Sequence, residues 1–145
     1  MALPVISQKQ ARITISGLTK IFWTSIKGGE LTQEEVVYND GNLGIEQTYT
    51  GFTKIGKLTL SKPFDPVGDK ALQTFIKEQA TKKTTFNITV TMVESDVAGT
   101  PLSGASDITY NNCIFLGYVP PNFDRDGTGL AKCELMVACN SMPTY

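Results

Sequence analysis

The sequence predicts a mainly β protein with one α-helix, an antiparallel β-barrel or sandwich with the helix packed on its outer side. Three observations lead there. Several short runs alternate apolar and polar residues, as in "RITIS" and "TTFNITVTMVE"; only the stretch Pro66 to Thr81 repeats apolar residues at helical spacing; and Gly, Asn, Asp and Pro punctuate the runs.

The elements follow in order. "RITIS" (Arg12 to Ser16) and "KIFWTSIK" (Lys20 to Lys27) read as a hairpin turning at Gly17 and ended by Gly28-Gly29. The stretch Gly28 to Gly51 is acidic, poor in core residues and carries a strong turn signal, "NDGN", so it reads as a projecting lobe. "FTKIGKLTLSK" (Phe52 to Lys62) returns to strand character. Asp65 is then placed to cap a helix, Pro66 suits its first turn, and Asp69 favours its positive end. A helix over 66–81 would be roughly 24 Å long. Leu72, Phe75 and Ile76, extended by Ala80, form its apolar stripe, which assigns them a structural role. Thr84 to Glu94, Ile108 to Pro120 and Leu130 to Asn140 complete the strand set, the last two joined by the turn-rich "PNFDRDGTG".

A chain of 145 residues fits one domain, here 1–145, with a core large enough to stand without covalent staples. No apolar run reaches the roughly 18 residues of a membrane span, and "MALPVIS" is too short for a secretory leader, so a cytoplasmic place of synthesis is expected. Cys113, Cys133 and Cys139 are odd in number and form no Cys-x-x-Cys pair; they read as buried thiols acting as small hydrophobes.

The chain has no histidine, which excludes His-assisted nucleophiles, and neither a P-loop nor a dinucleotide-binding glycine pattern occurs. An enzyme is therefore not expected, nor a cofactor. In "DRDGTG", Asp124, Asp126 and Thr128 copy the first half of a calcium loop, but Leu135 stands where a bidentate glutamate is needed, so no metal site is assigned. Asn87-Ile88-Thr89 matches a glycosylation sequon without a secretory leader to make it relevant.

Net charge is −1, yet residues 1–27, 28–50, 51–83 and 84–145 carry +4, −5, +4 and −4. Such blocks are either ordinary solvated surface or complementary patches that set the register between copies of one chain. Neither arrangement is the net basic face of a general nucleic-acid binder.

Tyr38 to Gly41 ("YNDG"), Leu58 to Asp65 ("LTLSKPFD"), the single helix "DKALQTFIKEQ", and the strands ending "YNNCIFLGYVPPNFD" and "AKCELMVAC" give the chain its layout. That layout resembles the tail tube proteins of tailed bacteriophages, of the contractile type. The resemblance implies homohexameric rings that pool their strands into one barrel, the sheet continuing between subunits. Stacked, such rings form the tail tube of a virion, assembled in the host cytoplasm, through which the genome passes without specific binding. It also implies sheath, tape-measure, baseplate initiator and tail terminator partners.

On that reading Asn87, Thr89, Thr91, Lys132 and Glu134 are lumen candidates, because a channel wall strong in positive charge would hold passing DNA. The lobe becomes a contact arm, with Glu30, Glu34, Glu35, Asp40 and Glu46 as inter-subunit candidates. The inner tube of a contractile secretion or injection machine is an alternative within the same class. A monomeric β-sandwich binding module, for carbohydrate for example, is the other, although Trp23 and the tyrosines alternate into core strands rather than forming an aromatic platform.

Overall fold

The computed structural model describes residues 11–38, 41, 44–94 and 100–145. Among the described residues, nine strands and one helix follow along the chain. They are β1 (Ala11–Ile15), β2 (Leu18–Trp23), β3 (Ser25–Gly28), β4 (Leu31–Tyr38), β5 (Gln47–Ile55), β6 (Leu58–Pro63), α1 (Lys70–Lys82), β7 (Phe86–Met92), β8 (Ile108–Val119) and β9 (Lys132–Cys139). Seven strands form one antiparallel sheet in the order β2-β1-β7-β8-β9-β6-β3, while β4 and β5 pair only with each other.

The sheet is a single curled layer, a half-barrel, and its curl is set at Thr24. β2 and β3, the two edges, are separated by that one residue. The expected hairpin at Gly17 forms, but its second strand does not run on to Lys27. It breaks at Thr24, whose N–H and hydroxyl both donate to the Ser61 carbonyl on β6 at 2.9 Å. The chain thereby steps from one edge of the sheet to the other.

Alternation decides the inside. Ile13, Ile15, Leu18, Ile21 and Trp23 from β1 and β2, Leu58 and Leu60 from β6, Phe86, Ile88 and Val90 from β7, and Leu135 and Val137 from β9 all bury into one core. Cys113, Cys133 and Cys139 lie in the same core as free thiols. A period of two in strands with one buried face yields this pattern, and a one-residue slip would turn it inside out.

The helix starts later than the sequence suggests, and the cause is an ion pair. Asp65 opens a turn, accepting the Val67 N–H at 3.1 Å, and residues 66–69 are that turn rather than helix. Asp69 precedes the first helical residue, but its carboxylate makes no cap; it faces the Lys62 ammonium at 2.5 Å and accepts the Asp65 N–H at 3.0 Å. Lys62 also donates to the Pro63 carbonyl at 3.1 Å, and both ion-pair partners are buried. The helix lies beside the β1–β2 turn, the start of β7 and the middle of β8. Leu72 reaches the core, Phe75 meets the Phe86 ring edge-on at 5.1 Å, and Ile76 is half-buried against it. Ala80 is exposed, and Gln79 is buried in its place, accepting the Thr84 hydroxyl at 3.0 Å.

Phe52 to Lys62 is not one strand. Gly56 and Lys57 separate β5 from β6, and the Gly56 N–H donates to the Glu30 carbonyl at 2.8 Å to close the root of the β4–β5 hairpin. Opposite that root, Gly28 and Gly29 hold φ of 95° and 78°, and a Cβ on Gly28 would overlap the Lys57 carbonyl oxygen. The glycine pair therefore turns the chain out of the body and into the arm.

A buried charge left without its partner is costly, whereas an apolar pair of similar volume is tolerated. Asp69→Asn is therefore expected to lower the unfolding free energy by about 3–5 kcal/mol in chemical denaturation, and Lys62→Met with Asp69→Leu to recover most of it. A single variant within about 1 kcal/mol of the parent would contradict the buried pair.

Candidate functional site: an unsupported arm and a convex polar face

Two surfaces stand out, and neither is a catalytic cleft. Two hollows of about 510 and 540 Å³ flank the helix, and among the described residues Glu78 and Lys20 are the ionisable side chains along them. Among the described residues, no group of three or more His, Cys, Asp or Glu is placed to hold a metal ion. In the half calcium loop, Asp124 is occupied locally, its carboxylate accepting the Asp126 N–H at 3.0 Å and its carbonyl the Gly127 N–H at 3.0 Å.

The first surface is the arm, β4 and β5. Every residue of β4 is exposed, as is all of β5 between its two ends. The pairing slips between Gln33 and Glu35, where Gly51 and Phe52 together oppose Glu34. A Cβ on Gly51 would come within 3.0 Å of the Glu34 carboxylate, so glycine makes room for that side chain. Glu34 and Glu35, as strand neighbours, project to opposite faces. Glu30 sits at the root beside Gly56, Glu46 is exposed just before β5, and Asp40 lies outside the described residues. The acidic candidates are thus spread over the arm rather than gathered, and Lys54, opposite Thr32, adds a base to it.

Sequence reasoning missed the apolar part of this surface. Val36 and Tyr49 are cross-strand partners at 44% and 54% exposure, and Phe52 on the same strand is 79% exposed. Tyr38 and Val37 are also exposed. A two-stranded hairpin alone is at best marginally stable in water, and clustered exposed apolar side chains mark contact sites. The signal was available in "EEVVY" and "TYTGF", whose apolar residues no core strand could use.

The second surface is the convex face of the sheet. Thr14 on β1, Thr89 on β7 and Thr109 on β8 are consecutive register partners, and Thr144 bridges to Thr109, so four threonines form one row across the face. Beside it Arg12 pairs with Thr91, its guanidinium 5.5 Å from the Phe22 ring. Thr89 and Thr91 are half-exposed and lie in these rows.

Asn87 is exposed but occupied. It opposes the irregularity where Asn112 takes φ of 50°, and its side-chain oxygen accepts the Asn112 N–H at 3.2 Å while its own N–H donates to the Ser16 hydroxyl at 3.1 Å. Lys132 and Glu134 are exposed on β9, partners of Pro63 and Ser61 on β6. The structure does not bring the five candidates together. Thr89 lies opposite Thr109 near the start of β8, whereas Glu134 lies opposite Val119 at its end, about 30 Å along the strand. The threonine rows, with Arg12 in the second of them, and the charged β9 positions therefore occupy opposite ends of the face. Leu116, the extra residue of the β8 bulge, Val119 and Met136 are exposed near the β9 end.

Removing the acceptor at the bulge strands a backbone amide, whereas Thr89 touches no such group. Asn87→Ala is expected to cost about 1–2 kcal/mol and Thr89→Val to stay within about 0.5 kcal/mol, both read from denaturant midpoints. Equal effects would remove the distinction.

The sequence matches no protein-family profile and none of the curated proteins. Solved structures do resemble it. A chain of the extended PVC sheath–tube complex of an extracellular contractile injection system superposes with a TM-score of 0.80 at 20% identity, covering 97% of this chain and 92% of its own. A chain of the PVC sheath/tube terminator in the extended state gives 0.78 at 17% identity with full coverage of both. A chain of the six-fold symmetrised anti-feeding prophage baseplate gives 0.73 at 13% identity, covering 97% and 95%. The curled half-barrel with one helix is thus a fold shared with chains of contractile injection assemblies.

Proposed function

We propose that this chain is a structural subunit of the inner tube of a contractile, tail-like machine, without catalytic activity. The observation that carries the reading is the arm. It is a two-stranded hairpin with exposed apolar and acidic side chains, anchored to its own body at its root, where Ile55 packs against the core, on a fold shared with contractile injection assemblies. Such an arm is stabilised when a neighbouring copy covers it.

On this reading, copies form hexameric rings with the sheet continuing between subunits, and the rings stack. The six-fold symmetry of the baseplate assembly among the similar structures supports that count. Glu30, Glu34, Glu35, Asp40 and Glu46 meet basic surface on the neighbours. Lys57, Lys70, Lys77, Lys82 and Lys83 remain available for this because they are exposed, whereas Lys62 is spent inside on Asp69. Thr89 and Thr91, with Thr14 and Thr109, line the lumen, and Lys132 and Glu134 lie at the other end of the same face.

Sheath, terminator and baseplate components are the expected partners, by analogy with the complexes that contain the similar chains. A tape-measure protein inside the tube belongs to the same scheme. The favoured particle is an injection machine, since the similar structures come from such systems. A phage tail, carrying DNA without specific binding, is the second reading, favoured by the uncharged row of Thr14, Thr89 and Thr109.

Electron microscopy of the purified chain at high concentration is expected to show rings or tubes; a strict monomer, with or without a baseplate initiator, would overturn the proposal. Replacing Thr32 to Lys54 by a two-residue turn is expected to leave the body folded and to abolish assembly. The double reversal Glu34→Lys with Glu35→Lys is expected to reduce tube yield severalfold, more strongly at low salt, with unchanged monomer melting. Undiminished assembly of the reversed protein would exclude the charged contact.

A further inference from the structure

We propose that Cys113 and Cys139 are a modification site, a cross-strand dithiol that a small-molecule disulfide converts into a covalent tie between β8 and β9. The two residues are direct register partners in the β8–β9 ladder, and both are free. Their Sγ atoms stand 3.4 Å apart. The Asn140 N–H donates to the Asn112 carbonyl at 3.2 Å. That bond joins the residue after Cys139 to the residue before Cys113, which makes the cysteines a non-hydrogen-bonded pair of the antiparallel ladder.

Such pairs have the shorter Cα separation, about 4.5 Å, and the closer side chains. This lies inside the Cα range of about 4.4–6.8 Å that a disulfide spans without backbone movement. Closing the bond therefore asks for a rotation of the thiols and little else.

Cys133 is excluded by the same ladder. It shares the inward face of β9 with Cys139 but lies six residues along, about 20 Å away, and its thiol points to the Lys62 carbonyl at 3.7 Å. The third thiol is thus a built-in control.

Access favours Cys139 as the first to react. It is the last residue of β9 at 9% exposure, whereas Cys113 is fully enclosed at 0%. Beyond it the chain is held to β8 by the Asn140 bond, the Thr109–Thr144 bridge, the Asn111 amide donating to the Met142 carbonyl at 3.2 Å and the Thr144 hydroxyl at 3.1 Å, and the Asn112 amide donating to the Ser141 hydroxyl. Loosening this short tail exposes the sulfur. Burial pushes the Cys139 and Cys113 thiols above their ordinary range, so the thiolate is scarce while the tail is closed.

The reaction balances as thiol–disulfide exchange. The Cys139 thiolate attacks one sulfur of oxidised glutathione, the S–S bond of that reagent breaks, and one glutathione thiolate leaves. Cys113, deprotonated, then attacks the Cys139 sulfur of the mixed disulfide and expels the second glutathione thiolate. Two protein thiols lose two electrons and two protons, and one oxidised glutathione becomes two reduced ones.

The test uses the full chain, folded, with oxidised glutathione as oxidant, followed by quenching, unfolding, thiol counting and peptide mapping. Expected are one remaining thiol at Cys133, a mass lower by about 2 Da and a peptide pair linking Cys113 to Cys139, all reversed by a thiol reductant. The oxidised protein should melt on the order of 10 °C higher, since the bond closes a loop between residues 26 apart. Cys133→Ser should oxidise like the parent, and Cys139→Ser should form no internal bond. Three thiols surviving, a link that involves Cys133, a link between chains, or glutathione retained on Cys139 as the end product would each overturn the proposal.

Discussion

One residue between two edges governs this molecule. Seven strands spaced about 4.8 Å apart would put β2 and β3 nearly 30 Å from each other in a flat sheet. Trp23 and Ser25, which end one and begin the other, are two peptide units apart, and a chain spans only about 7 Å in that distance. The sheet has to curl until the end of β2 comes beside the start of β3, and the bonds from Thr24 to the Ser61 carbonyl hold that corner. Everything else follows from that closure. The concave side becomes too narrow for water and must be apolar; the convex side becomes the solvent face; and one end of the curl is left for the helix to cover.

The alternation that this requires was readable in the sequence wherever one face of a strand was buried. Ile13 and Ile15, Ile88 and Val90, and Leu135 and Val137 announced their strands because burial on one side imposes a period of two. What stayed hidden depended on contacts between distant residues. The helix begins at Lys70 rather than Pro66 because Asp69 is drawn to Lys62, seven residues back on a strand, and local capping rules carry no information about that partner. The break at Thr24 was invisible for the same reason: its hydrogen bonds go to Ser61, 37 residues on. Gln79 replaced Ala80 on the buried stripe because the Thr84 hydroxyl satisfies its amide, a pairing that apolar periodicity does not count.

The candidate surfaces were legible to different degrees. The arm was visible as an acidic block without core residues, but its charge drew attention from Val36, Tyr49 and Phe52, which are exposed on it. The threonine row was half visible: Thr89 and Thr91 stood out in a clean strand, whereas Thr14, Thr109 and Thr144 joined them only once the register was known. Asn87 looked like its threonine neighbours in sequence and differs in structure, because a bulge on the next strand claims its side chain. Separation of Lys132 and Glu134 from the threonines likewise comes from β8, whose twelve residues carry the two groups at opposite ends.

The division of surfaces has a physical logic for the assembly proposed above. A closed curl satisfies its own core and needs no partner to fold, so the body can accumulate as a stable unit. The arm cannot satisfy itself, since two strands exposed on both faces bury too little to offset their ordering entropy. Gly28 and Gly29 turn the chain out of the body at the arm's root, next to the ladder at Leu58. On the proposed reading, stability of the subunit and drive for association are carried by different residues, and the row of Thr14, Thr89 and Thr109 on the convex face is left uncharged.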